Sequence, residues 1–291
     1  MAATWALIAA AVLWGTTGTA ASFLPSGVSP MATGAATMGI GGLLLFAVRR
    51  RGAVAALRDR RSRGWLLVGS LGVVVYALTF YGGMALAGVA IGNVVALGSG
   101  PVFAALLERV LERSVLTRRW MLCTTAAVVG VVMLTAGGHG ASGGAGQLVP
   151  GVLLGLVAGA AYALYSYASG RVMRLGSGSS DVMAGMFAPA AVVLLVVLLA
   201  SGAPLVQQPA SLGVIAYLAV GPMFLAYLLF GAGLARHRAS TATTITLLEP
   251  IVATVLAVVV VGERLAPLGW AGAGVILVAL AVLVTGPRTR P

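Results

Sequence analysis

The chain has 291 residues, 60% of them hydrophobic and only 8% charged, and its formal net charge is +12. A soluble domain carries about 25% charged residues, so a water-soluble globular protein is excluded; apolar runs recurring from end to end give an all-α, polytopic membrane protein. A β-barrel does not fit, since its strands would be about ten residues of alternating polarity. Nucleic acid is not the partner the charge points to, because all eighteen basic residues are arginine and sit in short loops.

Ten spans follow in chain order, each long enough for a hydrocarbon core of about 30 Å. They cover residues 4–24, 31–48, 64–86, 89–107, 119–136, 148–170, 182–201, 211–233, 240–261 and 267–286. The third and fourth are parted only by Ala87-Gly88. The first is read as a retained helix and not a signal peptide, because no basic segment precedes it and the first charged side chain is Arg49.

The loops alternate in charge. The second, fourth, sixth and eighth loops and the tail hold seventeen of the eighteen arginines, and Arg264 falls on the other side. The positive-inside rule then puts both termini in the cytoplasm. Trp65, Trp120 and Trp270 stand at span ends and read as interfacial belt residues. The lone Cys123 allows no internal disulfide. His139 and His237 are loop residues too far apart for a metal site, so no metal is expected.

Sliding the chain by 149 residues places Gly72 on Gly221, Ala77 on Ala226, Tyr81 on Phe230, Gly82 on Gly231 and Pro101 on Pro250. A shift of 148 places Trp14-Gly15 on Tyr162-Ala163. Each copy holds five spans, an odd number, so the second copy starts on the opposite face. The expected fold is therefore ten helices in two inverted five-helix repeats, residues 1–145 and 146–291. In such folds substrate sites lie near the midplane, where interrupted helices occupy corresponding positions. Here those helices are the fourth, at Gly100-Pro101, and the ninth, at Glu249-Pro250.

Glu249 is the acid clearly inside a span by this reading. A carboxylate at a helix centre costs roughly 2.5–3.5 kcal/mol on insertion scales. Two readings stand: a proton-coupling or amine-binding group, or a partner for backbone freed by Pro250. Tyr76, Phe80 and Tyr81 in the third span, with Tyr162, Tyr165 and Tyr227 in the sixth and eighth, either line a pocket or pack the core. Asn93 either bonds cargo or joins two helices. Thr243 and Thr246 are placed to share the Glu249 face. Gly151, Gly155 and Gly159 form a double GxxxG expected to bring helices close.

Trp14-Gly15-Thr16, Ser99-Gly100-Pro101, Leu248-Glu249-Pro250 and Gly262-Glu263-Arg264-Leu265, in this order and spacing, resemble EamA-type members of the drug/metabolite transporter superfamily. The resemblance spans essentially the whole chain. It implies an inner-membrane carrier, in many members an exporter of amino acids, other metabolites or drugs. It also draws Trp14 into the candidate site. One position departs from the pattern. Seven residues after the proline that opens the second span the family often has arginine, and here stands Thr37. There is no GxxxxGK[ST] motif and no lysine, so ATP is not the direct energy source and no cofactor is expected. A secondary carrier is the leading reading. A passive facilitator or channel is the alternative, and an intramembrane enzyme is the remote one, since no histidine lies in a span to serve a nucleophile. The expected partners are a small-molecule substrate and the bilayer; one chain holds both halves of a pathway, which allows a monomer.

Overall fold

The computed structural model describes residues 1–25, 27–87, 89–136, 147–207, 209–262 and 264–285, with backbone alone at 89, 90, 206 and 261. Among the described residues ten helices are long and apolar enough to cross a membrane. They are α1 (Ala2–Ala21), α2 (Pro30–Arg58), α3 (Arg60–Ala87), α4 (Val89–Glu112), α5 (Arg118–Ala136), α6 (Leu148–Arg174), α7 (Ser179–Ser201), α8 (Pro209–Leu234), α9 (Ala239–Val260) and α10 (Pro267–Thr285). The expected tail arginines, Arg288 and Arg290, and His139 and Glu263 lie outside the described residues.

Several helices outrun the apolar spans drawn from the sequence. Helix α2 continues past its apolar run to Arg58, bending at Arg49, whose φ of −121° and ψ of 27° leave the helical region. It starts where Ser29 and Pro30 dictate: the Ser29 hydroxyl accepts from the Ala32 amide at 3.1 Å, and Pro30 fills the first turn, where a missing N–H costs nothing. Asp59 then caps α3, accepting from the Arg61 amide at 3.1 Å and the Ser62 hydroxyl at 2.6 Å.

The packing follows the inverted repeat. α3 lies along α6, and its counterpart α8 lies along α1. α4 meets α6, and its counterpart α9 meets α1. α2 pairs with its own counterpart α7, and α5 with α10. Small residues set these distances, as expected where lipid supplies no hydrophobic drive. A side chain at Gly159 would stand 2.7 Å from the Ala96 carbonyl, and one at Gly83 would stand 3.1 Å from the Gly151 carbonyl. The double GxxxG of α6 thus seats both α3 and α4. Between α5 and α10 the same closeness occurs at Gly130, 2.8 Å from the Gly272 carbonyl.

Irregular turns fall in different places from those expected. Helix α4 runs unbroken through Pro101. The preceding turn, Gly98-Ser99-Gly100, is small enough to admit the ring, so Pro101 is not a helix break. In α9 the chain tightens to a 3₁₀ turn at Thr246–Leu248, and a new α segment opens at Glu249 with Pro250 in its first turn. Two π-helical stretches were not foreseen, Ala219–Leu225 around Pro222 in α8 and Ala257–Val261 at the end of α9.

The repeat is visible in backbone conformation as well. The fourth and ninth spans each end on a residue with positive φ, Arg113 at 53° and Gly262 at 81°. Each lies twelve residues past its proline, so the turns obey the 149-residue shift even though the Glu-Arg pairs do not.

Candidate functional site

Seven of the expected residues come together between the halves. Trp14 of α1 meets Tyr162 of α6 edge-on, ring centroids 6.5 Å apart, and lies 5.1 Å from Tyr227 of α8. Tyr76 of α3 stacks on Phe80 at 5.1 Å and faces Tyr162 and Tyr165, each at 5.9 Å. Phe80 in turn meets Tyr81 at 5.3 Å, whose ring rests on α2 where Gly34 has no side chain. The aromatics therefore form one connected set contributed by α1, α3, α6 and α8, the helices that pack across the pseudo-twofold.

Hydroxyl bonds fix part of this set. The Tyr162 and Thr246 hydroxyls pair at 2.9 Å, as do those of Tyr165 and Tyr227. Thr246 therefore serves Tyr162 and not Glu249. Thr243 and Thr244 donate back to the carbonyls of their own helix. The hydroxyl-rich turn of α9 is thus mainly structural.

Glu249 sits at the start of the second segment of α9, opposite α1. Gly15 is the reason the two helices approach: a side chain there would stand 2.5 Å from Val252 and 3.0 Å from the Glu249 carbonyl. Glu249 is half-buried and surrounded by protein. It lies within electrostatic reach of the Tyr76, Tyr81, Tyr162 and Tyr227 hydroxyls.

Four polar groups of this set have no protein partner among the described residues: the Glu249 carboxylate, the Tyr76 and Tyr81 hydroxyls and the Trp14 indole N–H. None belongs to the buried unsatisfied groups, which are at Ser114, Trp120, Ser166 and Ser211. Each of the four therefore keeps some accessible surface.

The repeat explains the asymmetry of the site. Gly100 occupies in α4 the position that Glu249 holds in α9. A side chain at Gly100 would stand 2.9 Å from the Tyr162 ring, so the glycine leaves room for that ring. Both the Tyr162 phenol and the Glu249 carboxylate come from the second repeat.

Both repeats, residues 1–136 and 149–285, match the EamA-like transporter family. The chain belongs to that family. This EamA-like chain is 30% identical over 288 residues to an uncharacterized transporter, YwfM, of Bacillus subtilis (strain 168), covering 98% of this chain and 94% of the relative. A solved structure titled only as the crystal structure of a protein shares 23% identity, with a TM-score of 0.82 over 97% of this chain and 96% of that one. At that identity it speaks for the fold alone. The protein is thus a multi-pass membrane transporter with two EamA repeats.

Asn93 is not part of the EamA-like site. It is half-buried on α4 and joins no ring or hydrogen bond of the cluster among the described residues. Two rings missed in the sequence are Phe187, 4.4 Å from Tyr227, and Phe230, 5.3 Å from Trp14. Phe230 had a signal, since the repeat aligns it with Tyr81. Phe187 had none, lying in a uniformly apolar span.

A second acid inside a helix bundle was also missed. Glu108 on α4 is 2% exposed and accepts from the Ser240 amide at 3.1 Å and hydroxyl at 2.7 Å, tying α4 to α9. One turn on, Glu112 accepts from the Tyr167 hydroxyl at 2.9 Å and pairs with Arg174 and, at 3.9 Å, Arg171. Trp65, expected in the lipid belt, turns inward onto Tyr167 at 5.8 Å. Thr4 bonds His237 at 3.2 Å, and Arg49 pairs with Asp181 at 3.2 Å. All of these links sit at the arginine-rich end. At the other end Thr16 of α1 and Tyr217 of α8 pair at 2.7 Å.

Proposed function

We propose that this transporter is a secondary carrier that exports small organic solutes by alternating access, with Glu249 as its coupling carboxylate. The observation that carries the reading is the Glu249 carboxylate, half-buried beside α1, unpaired among the described residues and within electrostatic reach of tyrosines of both repeats. A carboxylate so placed gains or loses a proton according to the face it sees and what occupies the site beside it.

The halves are residues 1–145 and 146–291. Both termini are cytoplasmic and the protein resides in a bacterial-type inner membrane, read from the arginine distribution. The polar links at the arginine-rich end then make that end the closed cytoplasmic gate, with the site facing the other side. The cargo lies among amino acids, related metabolites and drugs. The working unit is one chain, and no cofactor takes part.

The test is counterflow in proteoliposomes. A carrier gives saturable counterflow, accelerated by an imposed pH gradient. Glu249→Gln keeps the shape of the side chain and removes its titration, so pH-gradient acceleration is expected to vanish. Acceleration that survives the substitution intact would sink the coupling role. Flux that neither saturates nor shows counterflow would instead favour a facilitator.

A further inference from the structure

We infer that the central site selects organic monocations with an aromatic or apolar body, such as protonated or quaternary amines, over zwitterions and anions. The inference rests on the carrier reading for the location of the site and goes further in naming the charge of its cargo.

The charge inventory of the site is one-sided. Glu249 supplies a carboxylate that has no cationic partner among the described residues. Thr37 on α2 is 6% exposed and spends its hydroxyl on the Thr33 carbonyl at 2.7 Å. The described arginines stand at span ends and in loops, and Arg49, Arg119, Arg171 and Arg174 are engaged there with carboxylates or carbonyls. An amino acid in this site would satisfy its ammonium at Glu249 and leave its own carboxylate without a charged donor, a poor exchange for water.

The rest of the lining suits a cation. The faces of electron-rich rings attract ammonium groups, most strongly where water is excluded. Here Trp14, Tyr76, Tyr162 and Tyr227 are linked by centroid separations of 5.1 to 6.5 Å, and the three tyrosines lie within electrostatic reach of the carboxylate. The free Tyr76 and Tyr81 hydroxyls accept as well as donate, so they too tolerate a positive guest. The half-buried Phe80 ring offers an apolar seat for the body of the molecule.

The test separates binding from transport. Cys123 is the one cysteine of the chain and is buried, so a thiol-reactive dye reports unfolding of detergent-solubilised protein. Phenethyltrimethylammonium and phenylalaninamide at pH 6 are expected to raise the midpoint of unfolding. Phenylalanine is expected to need at least about tenfold more for the same shift, and 3-phenylpropionate to give none. Glu249→Gln is expected to erase the preference for the cations, while Asn93→Ala, outside the aromatic set, preserves it. Equal stabilisation by phenylalanine and phenylalaninamide would overturn the inference, as would a preference unchanged in Glu249→Gln. Counterflow of phenethyltrimethylammonium with the membrane potential clamped then tests the carrier reading alone. Selective stabilisation without counterflow leaves the cation site standing and removes the carrier, whereas counterflow of phenylalanine without cation preference does the reverse.

Discussion

Glu249 and Gly100 hold equivalent positions, and the difference between them organises the site. The glycine is there because Tyr162 needs the space, with 2.9 Å from a hypothetical Cβ to the ring. Gly100→Val would push Tyr162 away from Thr246, and overpacking of this kind costs about 1–3 kcal/mol. The expected outcome is a lower unfolding midpoint by the Cys123 dye assay and weaker counterflow; an unchanged midpoint would mean the ring has another place to go. Arg113 shows the opposite case. It takes φ of 53° where its repeat counterpart is Gly262, and a left-handed residue with a side chain costs roughly 1–2 kcal/mol. Arg113→Gly is therefore expected to raise the midpoint by a few degrees. A fall would show that the arginine side chain returns more than its backbone loses.

At the scale of elements, the caps and turns decide where helices begin and end. Asp59 is an exposed cap whose carboxyl is held below the usual range, first by the Ser62 hydroxyl and next by the Arg61 amide. A depressed folded-state value means the cap stabilises above the ordinary carboxylate range and fails as pH falls through the lowered one. Asp59→Ala should lower the unfolding midpoint at pH 7, and the gap to the parent should close as pH falls below the lowered value of the Asp59 carboxyl. A gap that persists there would show that the cap acts by shape and not by charge. The sequence made the ten helices legible because each span is a long apolar run with arginines at alternate ends. It did not reveal the ends of α2, since a helix that leaves the membrane no longer needs apolar residues to persist. It showed where the prolines were but not their effect. Pro101 sits after three small residues and is absorbed, whereas Pro250 opens a new segment behind a 3₁₀ turn. The aromatic set was legible through the repeat and the clustering of rings. Glu108 was not, because a boundary drawn from hydropathy ends the span one residue before it.

For the whole molecule, the arrangement of polar links implies a single conformational state. Several of those joining different helices lie at the arginine-rich end, Glu108 to Ser240, Glu112 to Tyr167, Arg171 and Arg174, and Thr4 to His237, whereas Thr16 to Tyr217 joins α1 and α8 at the other. The contacts at the arginine-rich end bridge α4 to α9, α4 to α6 and α1 to the turn after α8, so they must break if that end is to open. Ser166 is fully buried, with a hydroxyl that has no partner among the described residues. In a Cys123→Ser background, Ser166→Cys should react slowly with a membrane-impermeant thiol reagent added at the arginine-rich face. Removing the carboxylate with Glu108→Ala takes away charge-assisted hydrogen bonds worth roughly 1.5–3 kcal/mol each. A two-state equilibrium biased by even one of them shifts by at least about tenfold, and the labelling rate should rise by that factor. A rate unchanged by Glu108→Ala would mean that the α4–α9 contact does not hold this end shut, and that closure is set by the helix packing around Gly233, where a side chain would stand 3.0 Å from the Ala3 carbonyl.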